Sequence, residues 1–265
     1  MTPLVESVNA PQEGGTKPRE TDIMSTTTTK TTATTTIPTR AGTVSPPEQL
    51  TADRVTKSLL GYGVIAGPIF VVSSVTQGLL REGFDFSRHP WSALSLGDAG
   101  WIQVVTFLVS GLSTVAAAIG LRRALATGVG ATWAPRLLAV FGLSLVVAGL
   151  FPIDPMGGFP ADLPQATGIS GHAMVHLLSG AIGFPCLAAA LLVLARRLSR
   201  EGFGRLATAC RIIAPLFLVG FFGMASGGLG AAGVPAFVIA VVTVLGLLSI
   251  VSVHRYRQMP DTACR

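Results

Sequence analysis

Six stretches of this 265-residue chain are each long and apolar enough to cross a bilayer, and no other feature constrains the fold as much. They run over about residues 59–80, 102–121, 134–151, 172–195, 206–226 and 234–253. A spanning helix needs ~20 mainly apolar residues. Backbone N–H and C=O groups in hydrocarbon must pair within their own segment or in a closed barrel. A barrel would alternate apolar and polar residues over strands of about ten, and these segments, rich in Ala, Leu and Gly, do not alternate. Composition agrees: 12% of residues are charged, against roughly 25% in soluble domains. The expectation is an all-α membrane protein, a bundle of six transmembrane helices, with the lipid bilayer as its first partner.

Ahead of the first helix, residues 1–55 read as a disordered, cytoplasmic leader dominated by Thr, Pro, Gly and Ser, as in "STTTTKTTATTTIPTR". Such a segment has too little apolar surface to offset its chain entropy. It lacks the basic start and apolar core of a signal peptide, and Met24 is a candidate start. The transmembrane domain is expected over 56–255 and a short cytoplasmic tail over 256–265. Cys186, Cys210 and Cys264 form no CxxC and offer no loop pair for a disulfide.

Charge in the connections sets an expected orientation. One set carries Arg122, Arg123, Arg136, Arg196, Arg197, Arg200, Arg205 and Arg211 against Glu201 alone; the other carries Arg81 and Arg88 against Glu82, Asp85, Asp98, Asp154 and Asp162. Arginine-rich loops stay in the cytoplasm, which places both termini there, in a cell (inner) membrane. The net charge of +6 is then mainly a topology signal. Nucleic acid is not an expected partner, because the basic residues are scattered and not interleaved with aromatics. Pro68, Pro185 and Pro215 fall inside predicted helices, where neighbouring helices satisfy the freed carbonyls. The endings "AAAIGLRR" and "AAALLVLARR" look alike, but their upstream registers disagree, so no internal duplication is inferred.

Chemistry concentrates in two outer connections, "REGFDFSRHPWSALSLGDAGW" (81–101) and "FPIDPMGGFPADLPQATGISGH" (151–172). They hold Asp85, Arg88, His89, Trp91, Ser92, Ser95, Asp98, Trp101, Asp154 and Asp162, and the third outer turn, "GGLGAAG", is bare. A site is therefore expected on the outer face, from these loops and the tops of the second and fourth helices. Three motifs in order, "RHPWSALSLGDAGWIQ", "GLFPIDPMGG" and "GHAMVH", resemble the bacterial membrane-protein family known as domain of unknown function 998, over about residues 59–255. The resemblance implies an integral membrane protein of about six helices and brings no activity with it.

His172 and His176, four apart, would share a helix face and could grip one divalent metal such as zinc, with Asp154, Asp85 or Asp98 as third ligand and His89 as a further candidate. Such a centre could activate water against a lipid or lipid-linked bond. The HExxH glutamate is missing, however. The structural alternative is a polar network in which Asp85, Arg88 and Asp154 pair and bond to His172 or His176, fixing the loops. In it Pro90 biases His89 toward an extended backbone, Ser92 and Ser95 cap the short segment before Gly97, and Trp91 and Trp101 sit in the interfacial belt. Asp85, Arg88, His89, Ser92, Asp98, Trp101, Asp154, His172 and His176 thus form a polar cluster that holds the loops and could bind a lipid or small-molecule ligand.

Other classes fall away. Haem across the membrane needs histidines at both depths, and His254 alone lies on the inner side. A proton-coupled carrier places ionisable groups at mid-membrane, where these helices have none; a carrier of a neutral or lipid-like molecule stays open. No GxSxG elbow supports a serine nucleophile.

Overall fold

The computed structural model describes residues 47–259. Six helices make up the fold: α1 (Pro47–Leu80), α2 (Gly100–Ala124), α3 (Trp133–Leu150), α4 (Gly171–Arg200), α5 (Gly204–Ala225) and α6 (Gly233–Gln258), with short 3-10 turns over Trp91–Ser95 and Gly230–Ala232. All six are long and apolar enough to cross a membrane, and no strand occurs among the described residues. Pro68, Pro185 and Pro215 lie inside α1, α4 and α5 as expected. One boundary moves: α1 already begins at Pro47, so residues 47–55 are helical and not part of a disordered leader. The physical cause is local. Proline suits a first helical position, and Glu48 in the first turn complements the helix dipole. The tail is helical to Gln258. The expectations for residues 1–46, Met24 and Cys264 lie outside the described residues.

Each helix packs against its neighbours in the chain, and α6 returns to pack on α1, so the six form a closed ring. Glycines set the seams. A Cβ on Gly111 would come within 2.6 Å of the Gly142 carbonyl oxygen, and one on Gly142 within 2.8 Å of the Gly111 oxygen, so α2 and α3 cross backbone against backbone. Gly67 does the same for α1 and α6, where a Cβ would lie 2.9 Å from the Leu245 oxygen. Small residues at such crossings allow dispersion contacts to replace the hydrophobic drive that lipid removes. Gly111→Val is expected to cost about 2 kcal/mol through overpacking against a backbone atom that cannot swing away. Gly246→Val, at a position with nothing within 4 Å of its Cβ, is expected to cost nothing measurable. Denaturant unfolding in detergent distinguishes the two.

The ring has two unlike halves. Toward the end where α4 meets α5, hereafter the arginine end, it is packed solid: Leu191, Leu194 and Leu198 of α4, Ala207 and Cys210 of α5 and Val251 of α6 are at most 2% exposed. An ionic clasp closes this end. Glu201 receives Arg197 Nε and Arg255 Nη1, each at 2.6 Å. Arg197 also donates to the carbonyls of Thr127 and Val129 at 2.9 and 3.3 Å, which ties in the α2–α3 connection. Burial works to raise the Glu201 carboxyl, but the hydrogen bonds from Arg255 and Arg197 outweigh it and hold it below the ordinary glutamate range. Toward the opposite end, hereafter the loop end, the ring is hollow.

Candidate functional site

The hollow is a cavity of about 630 Å³ lined by all six helices and both long loops. It descends from Arg88, Ser92 and Asp154 at the loop end to Thr114, Leu187, Phe217 and Leu248 near the middle of the bundle. The packed half beyond them forms its floor. The wall is almost wholly apolar. Phe184 stands at the centre of an aromatic cluster, with ring centroids 5.3 Å from Phe217, 4.9 Å from Phe221 and 5.6 Å from Phe237. Polar groups are few: Ser110, Thr114, Ser144, Ser179 and His176 line the interior. Ser110 Oγ and Trp91 Nε1 have no hydrogen-bond partner among the described residues although both are buried. The sequence placed a site at the loops and the tops of α2 and α4; the space in fact extends into the ring and uses α1, α3, α5 and α6 as well.

Two loops roof the cavity and form a small core of their own from Ala93, Leu96, Ile153 and Phe159. His89 is the rivet. It is 2% exposed and sits between the Phe84 and Phe159 rings, with centroids at 5.5 and 5.4 Å. Its Nδ1 accepts the Asp85 N–H at 2.9 Å, which puts the ring proton on Nε2, where it donates to the Gly157 carbonyl at 3.0 Å. One imidazole thus joins the first loop to the second. Arg81 supplies the other lock: it donates to the carbonyls of Leu94 and Leu96, both at 2.7 Å, and lies 5.0 Å over the Phe159 ring. The sequence registered Arg81 only as a loop charge. Its signal was position, one residue past α1, where a long cation can reach back over a loop.

The remaining expected site residues have separate local tasks. Asp85 is exposed and binds the Ser87 hydroxyl and N–H at 2.7 and 2.8 Å, which holds its carboxyl below the ordinary range. Asp154 accepts the Ser170 N–H at 2.7 Å, and hydrogen bonding from Ser170 likewise lowers it. Ser170 in turn caps α4 by accepting the Ala173 N–H at 3.1 Å. Asp85 and Asp154 therefore do not pair with Arg88, whose side chain is exposed at the cavity's rim. Ser92 lines the cavity but caps nothing with its side chain; instead Ser95 donates to its carbonyl at 2.7 Å, and Pro90 is the N-cap of that turn. Asp98 is exposed. Trp101 is 64% exposed on the outward face of α2, as an interfacial residue would be, whereas Trp91 is 6% exposed. Trp91 departs from the belt because the 3-10 turn drops into the ring, where its ring meets Phe70 at 6.1 Å.

His172 and His176 both address the end of α3, in different ways. The last carbonyls of a helix lack intrahelical partners. His176 Nδ1–H donates to two of these end groups, Ala148 and Phe151, each at 3.0 Å. Because both acceptors are carbonyls, Nδ1 must carry the proton, which leaves the lone pair on Nε2 of a residue that lines the cavity. His172 is exposed and only rests on the Phe151 ring, at 5.6 Å. Among the described residues no three His, Cys, Asp or Glu side chains converge as a metal-holding group. His176→Leu is expected to cost about 2 kcal/mol by orphaning buried carbonyls, while His172→Ala stays within about 0.5 kcal/mol; thermal unfolding in detergent reads both.

Sequence reasoning also missed a polar seam between α1 and α2. Gln77 Nε2 donates to Gln103 Oε1 at 2.8 Å, Gln103 Nε2 to Ser74 Oγ at 3.1 Å, and Ser73 bonds Thr106 at 2.6 Å. Interhelical amide pairs of this kind fix helix register in an apolar setting.

A ring of six spanning helices, hollow at one end and roofed by two loops, defines a multi-pass membrane protein. The family described as "Protein of unknown function (DUF998)" matches residues 64–254, and the chain belongs to it. No curated protein and no solved structure matches the chain.

Proposed function

We propose that this protein binds one neutral, largely apolar molecule in the ring cavity, beneath the loop roof. The observation that carries the reading is the cavity itself. Its volume of about 630 Å³ falls within the roughly 300–1,000 Å³ of small-molecule sites. Close-packed interiors keep few voids larger than a water, and apolar cavities take up apolar guests. Among the described residues the only charged groups in the lining are Arg88 and Asp154, one of each sign and both at the loop end. In the neutral imidazole, His176 offers a lone pair at Nε2, which suits the hydroxyl of a long-chain or polycyclic alcohol. The packed arginine end supports binding, or an occluded state of a carrier, over open passage. The positive-inside pattern of the connections supports an entrance on the outer face of the membrane, at the roofed end.

Trp91 provides the test, since it lines the cavity while Trp101 and Trp133 are 64% and 63% exposed on the outside. In a Trp101→Phe/Trp133→Phe protein, a brominated long-chain alcohol is expected to quench Trp91 saturably, and unbrominated alcohol to reverse it. Quenching that rises only linearly with probe, as free partition into the micelle gives, would sink the reading. Stronger competition by the corresponding carboxylate would overturn the alcohol assignment.

A further inference from the structure

A second hollow lies between α5 and α6, lined by residues of the arginine half. It is an open groove of about 980 Å³, with Leu206, Ile213, Leu247 and Ile250 in its wall. Its floor is bare at Gly246, where a Cβ would meet nothing within 4 Å. Arg205, His254 and Arg257 stand at its rim. His254 is engaged: its ring lies 4.1 Å from Phe203, and its Nε2 accepts from the Gln258 amide at 3.2 Å. The two arginines are not. Neither has a hydrogen-bond or ion-pair partner among the described residues, and Glu201, immediately before the groove's Gly202, is already held by Arg197 and Arg255. The α5 N-terminus beside them has no side-chain cap at Phe203, so its free N–H groups add to the positive rim.

We propose that this groove holds one anionic phospholipid of the leaflet at the arginine end, its phosphate between Arg205 and Arg257 and an acyl chain along Gly246. The placement fits an amphiphile. Arg205 is one residue inside α5 and Arg257 one residue from the end of α6, at headgroup level, whereas Ile213 lies about 12 Å deeper along its helix. Basic pockets between spanning helices recognise anionic headgroups in this way. A second copy of the chain fits worse. A twofold contact through this face sets each rim against its own image, bringing unpaired guanidinium groups together in a setting of low screening.

The test uses the full chain in phosphatidylcholine micelles with added phosphatidylglycerol, read by native mass spectrometry. The expected result is one retained phosphatidylglycerol, preferred over phosphatidylcholine by roughly thirtyfold, the contribution of two surface arginines. Arg205→Gln/Arg257→Gln is expected to abolish the preference without changing thermal unfolding. Gly246→Trp is expected to exclude both lipids, its side chain occupying open space. Absence of preference in the wild type, or a preference unchanged in the double variant, overturns the proposal. So does displacement of the lipid by millimolar inorganic phosphate, which would mark a simple anion site. A dimer that Gly246→Trp dissolves overturns it in favour of self-association.

Discussion

Glu201→Ala lowers the stability of the ring by about 3 kcal/mol at neutral pH, the low end of what leaving a buried charge without its partner costs. The large effect comes from what is left behind. Arg255 has a side chain only 5% exposed and already carries two nitrogens, Nε and Nη2, without a partner among the described residues. Its remaining neutralising contact is the carboxylate. Arg197 suffers less, since it keeps the carbonyls of Thr127 and Val129. The pH dependence has a defined sign. The folded pKa of Glu201 is depressed, so its contribution is fully present above the unfolded value of about 4.3. It fades as pH falls through the folded value. Wild type and Glu201→Ala should therefore converge in stability as the solution is acidified below that range. Glu201→Leu/Arg255→Leu should be more stable than Glu201→Leu alone, because a packed apolar pair leaves no orphaned charge. Denaturant unfolding in detergent across pH measures all three. A double variant worse than the single would show that the clasp acts by something other than charge compensation.

The second large effect concerns the cavity. Gly180 lines it and lies one helical turn beyond His176 on the same face of α4. A Cβ there would meet only the Phe184 ring, at 3.4 and 3.8 Å, both ordinary contacts. Gly180→Phe thus projects a ring into open space instead of into a neighbour, and replacing glycine inside a helix favours the helix. The variant is expected to fold as well as the wild type and to bind a long-chain alcohol about ten- to a hundredfold more weakly, the range that steric overpacking costs. Gly183 makes a useful contrast, since a Cβ there collides with Ser144. Bulk at Gly183 should damage folding itself, and bulk at Gly180 only binding.

These two sites differ in how visible they are in the sequence. The helices were legible because each is a long apolar run, and their expected and observed limits agree to within a few residues except at α1, α4 and α6, which continue as helices beyond their apolar stretches. The clasp was present only in part. Glu201 stood out as the lone acid among arginines, but its partner Arg255 is 54 residues away, near the end of the last helix. The histidine pair was found by spacing, and its task was not, because the acceptors are backbone carbonyls of another helix. Gln77 and Gln103 were passed over, since one amide in an apolar run neither breaks a helix nor registers as a charge. The cavity was not legible at all. An apolar residue facing a void and one facing a packed neighbour look alike in sequence; only interhelical distances, set by pairs such as Gly111 and Gly142, decide between them.

The most direct measurement of the central claim is native mass spectrometry of the wild type and Gly180→Phe, purified side by side in a mild detergent and offered the same long-chain alcohol. The cavity reading predicts a stoichiometric one-to-one adduct on the wild type that is absent from a normally folded Gly180→Phe protein. Equal adducts on both, or none on the wild type at saturating alcohol, would contradict it.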